Sequence, residues 1–258
     1  MMNMLSADFS LRAVHDAIVS CERCPRLRSY CHRVAQEKKR AHRGDTYWGR
    51  PVPGFGDPDA RLLLVGLAPA AHGANRTGRV FTGDGSGDFL MAALKRTGFA
   101  NIATSRSPDD GLRLTDAYIL ATVRCAPPDN KPLPEEIARC REHLEAEVAL
   151  LPRVNVVVAL GKIAFDGWLQ LLRQRGVTIS PRPQFGHGVV VDVRRAGLVR
   201  RASLALQTRQ VKTRQTNQTL PSVLIGCYHP SRQNTNTGKL TARMMESVFR
   251  KARRLLDH

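Results

Sequence analysis

Cys21 and Cys24 form a C-x2-C pair, and Cys125 and Cys140 bracket the stretch RCAPPDNKPLPEEIARC. Four thiols so placed could hold an iron–sulfur cluster or a zinc ion, since both accept four cysteines. The second half, C-x14-C, is looser than the close knuckles usual for zinc and favours the cluster. RCAPP follows an apolar run, so a group tied to both places would pin the N-terminus onto the mouth of an α/β sheet, where ligands bind. Cys227 lies within an apolar run and reads as a small buried hydrophobe. Cys31, inside a helical pattern, is left as a spare thiol.

Other reactive side chains follow apolar runs. Residues 62–67 (LLLVGL) lead into APAAHGANRTGRVFTGDGSGD, 118–123 (YILATV) into RCAPPDNKP, 154–160 (VNVVVAL) into GK, and 223–228 (VLIGCY) into HPSRQNTNTGK. As strands of one open parallel sheet, they would bring all four loops to its carboxyl edge. The first loop is rich in Gly, which lets backbone approach a ligand closely. It has neither the Walker phosphate-loop pattern nor G-x-G-x-x-G after the strand, which argues against both nucleotide-binding motifs. Phe81 could stack on a flat base, or staple the loop to the core. Asp84 could order a water or a base edge, or cap the next helix. His229, held extended by Pro230, could donate to a developing anion, or be an ordinary satisfied loop residue. Ser231, Arg232, Gln233 and Asn234, with Asn236 and Lys239 beyond, suit phosphate contacts.

The elements that would position these residues alternate between the two periods. Helices are expected at 10–19, with Leu11, Val14 and Ile18 in a stripe, and at 26–41, 88–97, 134–150, 162–173 and 240–256. A further short strand is expected at 189–193, and 43–60 (RGDTYWGRPVPGFGDPDA) reads as a Gly- and Pro-rich loop. Continuous apolar strands between helices argue for a parallel sheet covered on both faces. Residues 1–258 read as one domain, with a helical, basic N-terminal piece (1–45) and a basic insertion (194–222). The insertion carries seven Lys or Arg and no acid; it is either a flexible arm near nucleic acid or plain disorder.

Charge narrows the class of partner. Forty Lys and Arg against 22 Asp and Glu leave +18, which favours a polyanion, nucleic acid before anionic membrane. No run approaches the roughly 18 apolar residues of a membrane helix, and the N-terminus lacks the apolar core of a signal peptide. The expected compartment is a reducing cytoplasm, where such cysteines suggest metal more than disulfides. An iron–sulfur electron carrier would need neither the charge nor the HPSRQN loop. A non-catalytic zinc or iron–sulfur nucleic-acid binder would not explain four polar loops at one sheet edge.

The motifs GLAPAAHGANRTGRVFTGDGSG, RCAPPDNKPLPEE, ALGK and YHPSRQNTNTG together resemble the family 5 (type B) uracil-DNA glycosylases of the uracil-DNA glycosylase superfamily. The resemblance covers most of residues 8–180 and 223–257. It implies a three-layer α/β/α fold with a central, mainly parallel sheet, and a [4Fe-4S] cluster on Cys21, Cys24, Cys125 and Cys140. It implies hydrolysis of the N-glycosidic bond of uracil, and of other deaminated bases, in DNA by a monomer. Phe81 would then stack on the flipped base and His229 would donate to its carbonyl. Many relatives carry a carboxylate or Asn just after the first strand; here Ala68, Pro69 and Ala70 line that position. Asp84 is implicated instead, with Asn130 as the polar residue of the second loop. The 194–222 segment departs from the family, where a shorter hairpin is expected.

Overall fold

A computed structural model describes the backbone of residues 2–194 and 221–257, and side chains from residue 11 onward within those ranges. Almost all of the basic segment at 194–222 lies outside the described residues.

Helices α1 (Met2–Val19) and α2 (Pro25–Glu37) precede a short strand, β1 (Phe55–Gly56). Then follow β2 (Leu62–Gly66), α3 (Ala74–Thr77), α4 (Gly85–Arg96), β3 (Ala117–Ala121), α5 (Pro134–Ala149), β4 (Val156–Leu160) and α6 (Lys162–Gln174). Strands β5 (Val190–Asp192) and β6 (Val223–Cys227) and helices α7 (Arg232–Asn236) and α8 (Ala242–Leu256) complete the chain. The sheet order is β1-β3-β2-β4-β6-β5. Its four inner strands are parallel, and both edge strands are antiparallel.

The inner strands are apolar throughout because both their faces are covered. Alternate residues divide between the two cores. Leu62 and Leu64 pack with Leu90 and Leu94 of α4 and Phe249 and Ala252 of α8. Leu63 and Val65 pack with Leu144 and Val148 of α5 and Phe165 and Trp168 of α6. The result is the three-layer α/β/α arrangement expected from the sequence. Helix α2 stops at Glu37 rather than 41, because Lys38 turns to a φ of 49°. The stretch read as pure loop holds β1, where Phe55 pairs with Ile119.

Order along the chain matters at β2. The chain runs from β2 to β3 on one side, then crosses to β4 on the other. Such a reversal opens a crevice beyond the carboxyl ends of the central strands.

A buried charge cluster ties the layers together beneath that edge. Arg124, just after β3, is 1% exposed and lies 2.5 Å from Glu147 of α5, which is fully buried. The same carboxylate accepts from the Tyr118 hydroxyl at 2.8 Å and the Gly54 amide at 2.7 Å. His15 of α1 reaches it at 3.0 Å. Burial alone would raise the Glu147 pKa, but Arg124, His15 and Tyr118 outweigh it and hold the carboxyl at about 2. Glu147→Gln would leave Arg124 buried and uncompensated, a loss of about 3–5 kcal/mol. Because the folded pKa is depressed, this contribution is complete above the unfolded carboxyl pKa and disappears as pH falls towards 2. Urea denaturation from neutral pH downward should therefore show a large gap between the parent chain and Glu147→Gln at pH 7, closing in acid.

Candidate active site

Two aromatic rings meet at the crevice. The Phe81 and His229 centroids lie 5.8 Å apart, their planes inclined by 32°. A glycine at or just after the end of a central strand lies against each residue. A Cβ on Gly66, the last residue of β2, would come within 2.9 Å of the Phe81 ring. Gly161, directly after β4, has a φ of +103° and places its open face 3.6 Å from the His229 Cβ. Phe81 itself has a φ of 49°, a conformation that is an outlier for a bulky residue and that persists only when its surroundings enforce it. They do so here: Gly87 of α4 packs so closely on the Phe81 carbonyl that a Cβ would sit 2.1 Å from it.

Asp84 takes the capping role that its sequence position allows. Its Oδ1 caps α4, accepting from the Ser86 and Gly87 amides at 2.9 and 3.0 Å. Its Oδ2 turns back towards Gly73, where a Cβ would stand 2.3 Å away. Burial raises the Asp84 pKa, opposed by those two amides and by nearby Arg232. One oxygen is therefore structural, and the other faces the loop that follows β2.

His229 is held by its own loop. Asn234 Nδ2 donates to the His229 carbonyl at 2.8 Å, and the Ser231 hydroxyl caps α7 through the Asn234 amide. Gln233 anchors the end of α7 through its own carbonyl, which accepts from the Thr237 hydroxyl at 2.6 Å. Among the described residues, no protein group bonds the His229 ring nitrogens, and burial lowers its pKa to about 4. The imidazole is thus neutral at ordinary pH and free to donate through one N–H. A cleft of about 340 Å³ runs from this ring past Leu67, Lys162, Tyr228 and Lys239. Of the two lysines lining it, Lys162 is engaged with Asp166, and the Lys239 ammonium stands 5.2 Å from the centroid of the Tyr228 ring. A larger groove of about 550 Å³ lies along α6, away from the rings, and its Asp166 is paired with Lys162 and Arg182.

The other expected residues are less tightly drawn in. Pro69 is buried and Ala70 half-buried in the first loop, where the Ala70 carbonyl accepts from the Gly73 and Asn75 amides. Asn130 is exposed in a left-handed turn after β3, with a φ of 56°. No contact joins its side chain to Phe81, Asp84 or His229 among the described residues. Sequence reading missed Arg76, which is 13% exposed and clamps the ends of the first loop. It donates to the His72 and Gly83 carbonyls at 2.9 Å each and pairs with Asp45 at 2.7 Å. Only its place between two glycine turns hinted at this.

The cysteines gather beside the first loop. Cys21 and Cys24 form the turn between α1 and α2, Cys125 follows β3, and Cys140 lies in α5. All four line one gap with Arg23, Arg28, Arg124, Arg139 and His143. The Arg124 amide donates to Cys140 Sγ at 3.3 Å. Burial raises the Cys140 thiol to about 11, opposed by Arg124 and reinforced by Cys21 and Cys24. Ala68 packs directly on this cluster. Cys31, read from the sequence as a spare thiol, packs with Cys24, Cys125 and Cys140 and donates to the Ala126 carbonyl at 3.6 Å. Cys227 is buried in β6, as expected of a small hydrophobe. Among the described residues, no three His, Cys, Asp or Glu side chains are gathered to hold a single metal ion.

Residues 53–253 match the family described as the uracil DNA glycosylase superfamily. A type-5 uracil-DNA glycosylase of Mycobacterium bovis is 47% identical over 242 residues, covering 93% of this chain and 80% of that protein. One from Thermus thermophilus is 45% identical over 92% of this chain and 94% of its own length. A type-4 uracil-DNA glycosylase of Pyrobaculum aerophilum is 30% identical over 64% of this chain and 67% of its own. With the motif-bearing loops all at one sheet edge and matches of this extent, the chain belongs to the type-5 uracil-DNA glycosylases of the uracil DNA glycosylase superfamily.

Proposed function

We propose that the chain removes uracil, and other deaminated bases, from DNA by hydrolysing the N-glycosidic bond of a flipped nucleotide. The observation that carries this reading is the Phe81–His229 pair at the crevice, with the free oxygen of Asp84 in the adjoining loop. Reaching a base inside a duplex requires extrusion at a cost of a few kcal/mol. The +18 chain, with Arg232 and the α7 loop beside the site, supplies phosphate attraction to offset it. Phe81 offers a flat face to the extruded base. As the bond to C1′ breaks, its electron pair leaves with the base and positive charge grows on the sugar. The neutral His229 N–H stabilises the oxygen that becomes anionic. The Asp84 carboxylate favours the cationic sugar and accepts the proton of the attacking water, with Asn130 the candidate polar partner from the second loop. No amine attacks in this scheme, in keeping with the engagement of Lys162.

Cys21, Cys24, Cys125 and Cys140 would hold a [4Fe-4S] cluster. The donor set fits: four free thiols share one gap, arginines surround it, and His143 Nε2 is buried there without a partner among the described residues. Such a cluster would supply structural cross-linking, holding the N-terminal helices and Ala68 against the sheet edge. Purified protein should then be brown and lose its visible absorption in Cys125→Ser. A colourless protein with bound zinc would overturn this assignment.

Excision from oligonucleotides carrying uracil, hypoxanthine or ethenocytosine tests the activity directly; no cleavage of uracil would overturn it. His229→Ala should slow single-turnover excision about 10²–10³-fold with DNA affinity largely kept. Since the folded His229 pKa is about 4, the rate between pH 8 and 6 should carry no imidazole titration. Asp84→Asn should keep the helix cap, because Asn caps as well as Asp. Its melting temperature should match the parent while its rate falls about 10²-fold or more.

A further inference from the structure

Among the described side chains, Trp48 is the only exposed aromatic, at 38%. It is also held still. Its indole N–H donates to the Pro51 carbonyl at 3.1 Å, and its amide donates to the Arg76 carbonyl at 2.9 Å. The back of the ring lies on Gly78, where a Cβ would come within 2.9 Å of the indole. Gly78 belongs to the loop that carries Phe81 and Asp84. The Arg50 guanidinium stands 5.9 Å from the ring centroid. Between residues 38 and 50 the chain has five Lys or Arg and one acid, Asp45, whose carboxylate is taken up by Arg76. Lys39, Arg40, Arg43 and Arg50 are exposed.

An apolar ring left in water gains nothing unless something covers it. A fixed aromatic face among free cations has the chemistry of a single-strand platform, where a base stacks on the ring and phosphates meet the cations. We infer that Trp48 stacks on an unpaired base of a nucleic-acid strand, forming a second base site beside the Phe81–His229 crevice. This rests on the DNA-directed reading above and adds a strand-holding surface to it. The strand would cross the α2–β1 segment, with Trp48 and Arg50 gripping a nucleotide next to the extruded one.

The chain has two tryptophans, and the other, Trp168, is 1% exposed in the core, so both emit but only Trp48 can be quenched by a base stacked on it. Short oligothymidylate, which carries no uracil, should quench the Trp48 emission in the full chain, and inorganic polyphosphate, which has charge but no bases, should bind without quenching. Trp48→Phe should bind oligothymidylate nearly as well as the parent. Trp48→Ala should bind about 10-fold or more weakly, within the range for one lost stack, measured at a temperature where it is fully folded. If oligothymidylate binds without quenching, if polyphosphate quenches equally, or if Trp48→Ala binds as tightly as the parent, the platform is overturned. A chain that still excises uracil under any of these outcomes keeps its glycosylase reading and loses only the platform.

Discussion

The site depends on the buried pairing of Arg124 with Glu147. A guanidinium and a carboxylate with almost no access to water are tolerable only in each other's company. Their neighbours make the pair a junction. Through Glu147 it reaches His15 on α1, Tyr118 on β3 and the Gly54 backbone. Through the Arg124 amide it reaches Cys140. The N-terminal helices, the edge of the sheet and the thiol gap are thus fixed to one another by a single charged contact. Exposed pairs on the same elements, such as Arg23 with Glu142, are screened by solvent and add little.

Above that junction, small residues do the placing. Strand β2 ends in Gly66, and the Phe81 ring occupies the space that a side chain there would have filled, while Gly161 after β4 lies against the His229 Cβ. Asp84 divides its oxygens between holding α4 and facing the loop. Arg76 closes that loop at both ends. The first loop can therefore be long and glycine-rich and still present fixed groups, since its freedom is removed by hydrogen bonds rather than by secondary structure. Pre-positioned groups of this kind are what stabilising a transient charge requires.

Much of this was legible in the sequence. Strands buried on both faces announce themselves as unbroken apolar runs, so β2, β3, β4 and β6 were placed to within about two residues. Loops following them had to share an edge once the sheet was taken as parallel. What escaped was set by tertiary contact. Strand β1 is too short for any period and exists because Phe55 pairs beside β3. The positive φ of Phe81 and the direction of the second Asp84 oxygen go with close packing at Gly87 and Gly73, which no local pattern marks. Cys31 looked like a helix-face residue at sequence level. Its nearness to the other thiols follows only from how α2 docks against the loop after β3.

The thiol gap also imposes an order on synthesis. Cys21 and Cys24 leave the ribosome long before Cys125 and Cys140, and the latter two reach the gap only once β3 has joined the sheet and α5 has packed on it. Domains of this kind acquire their long-range contacts late. The gap that the four thiols line can therefore close only after α5, which ends past the middle of the chain, has been made. Until then the first pair is an open, two-toothed jaw, exposed to oxidants.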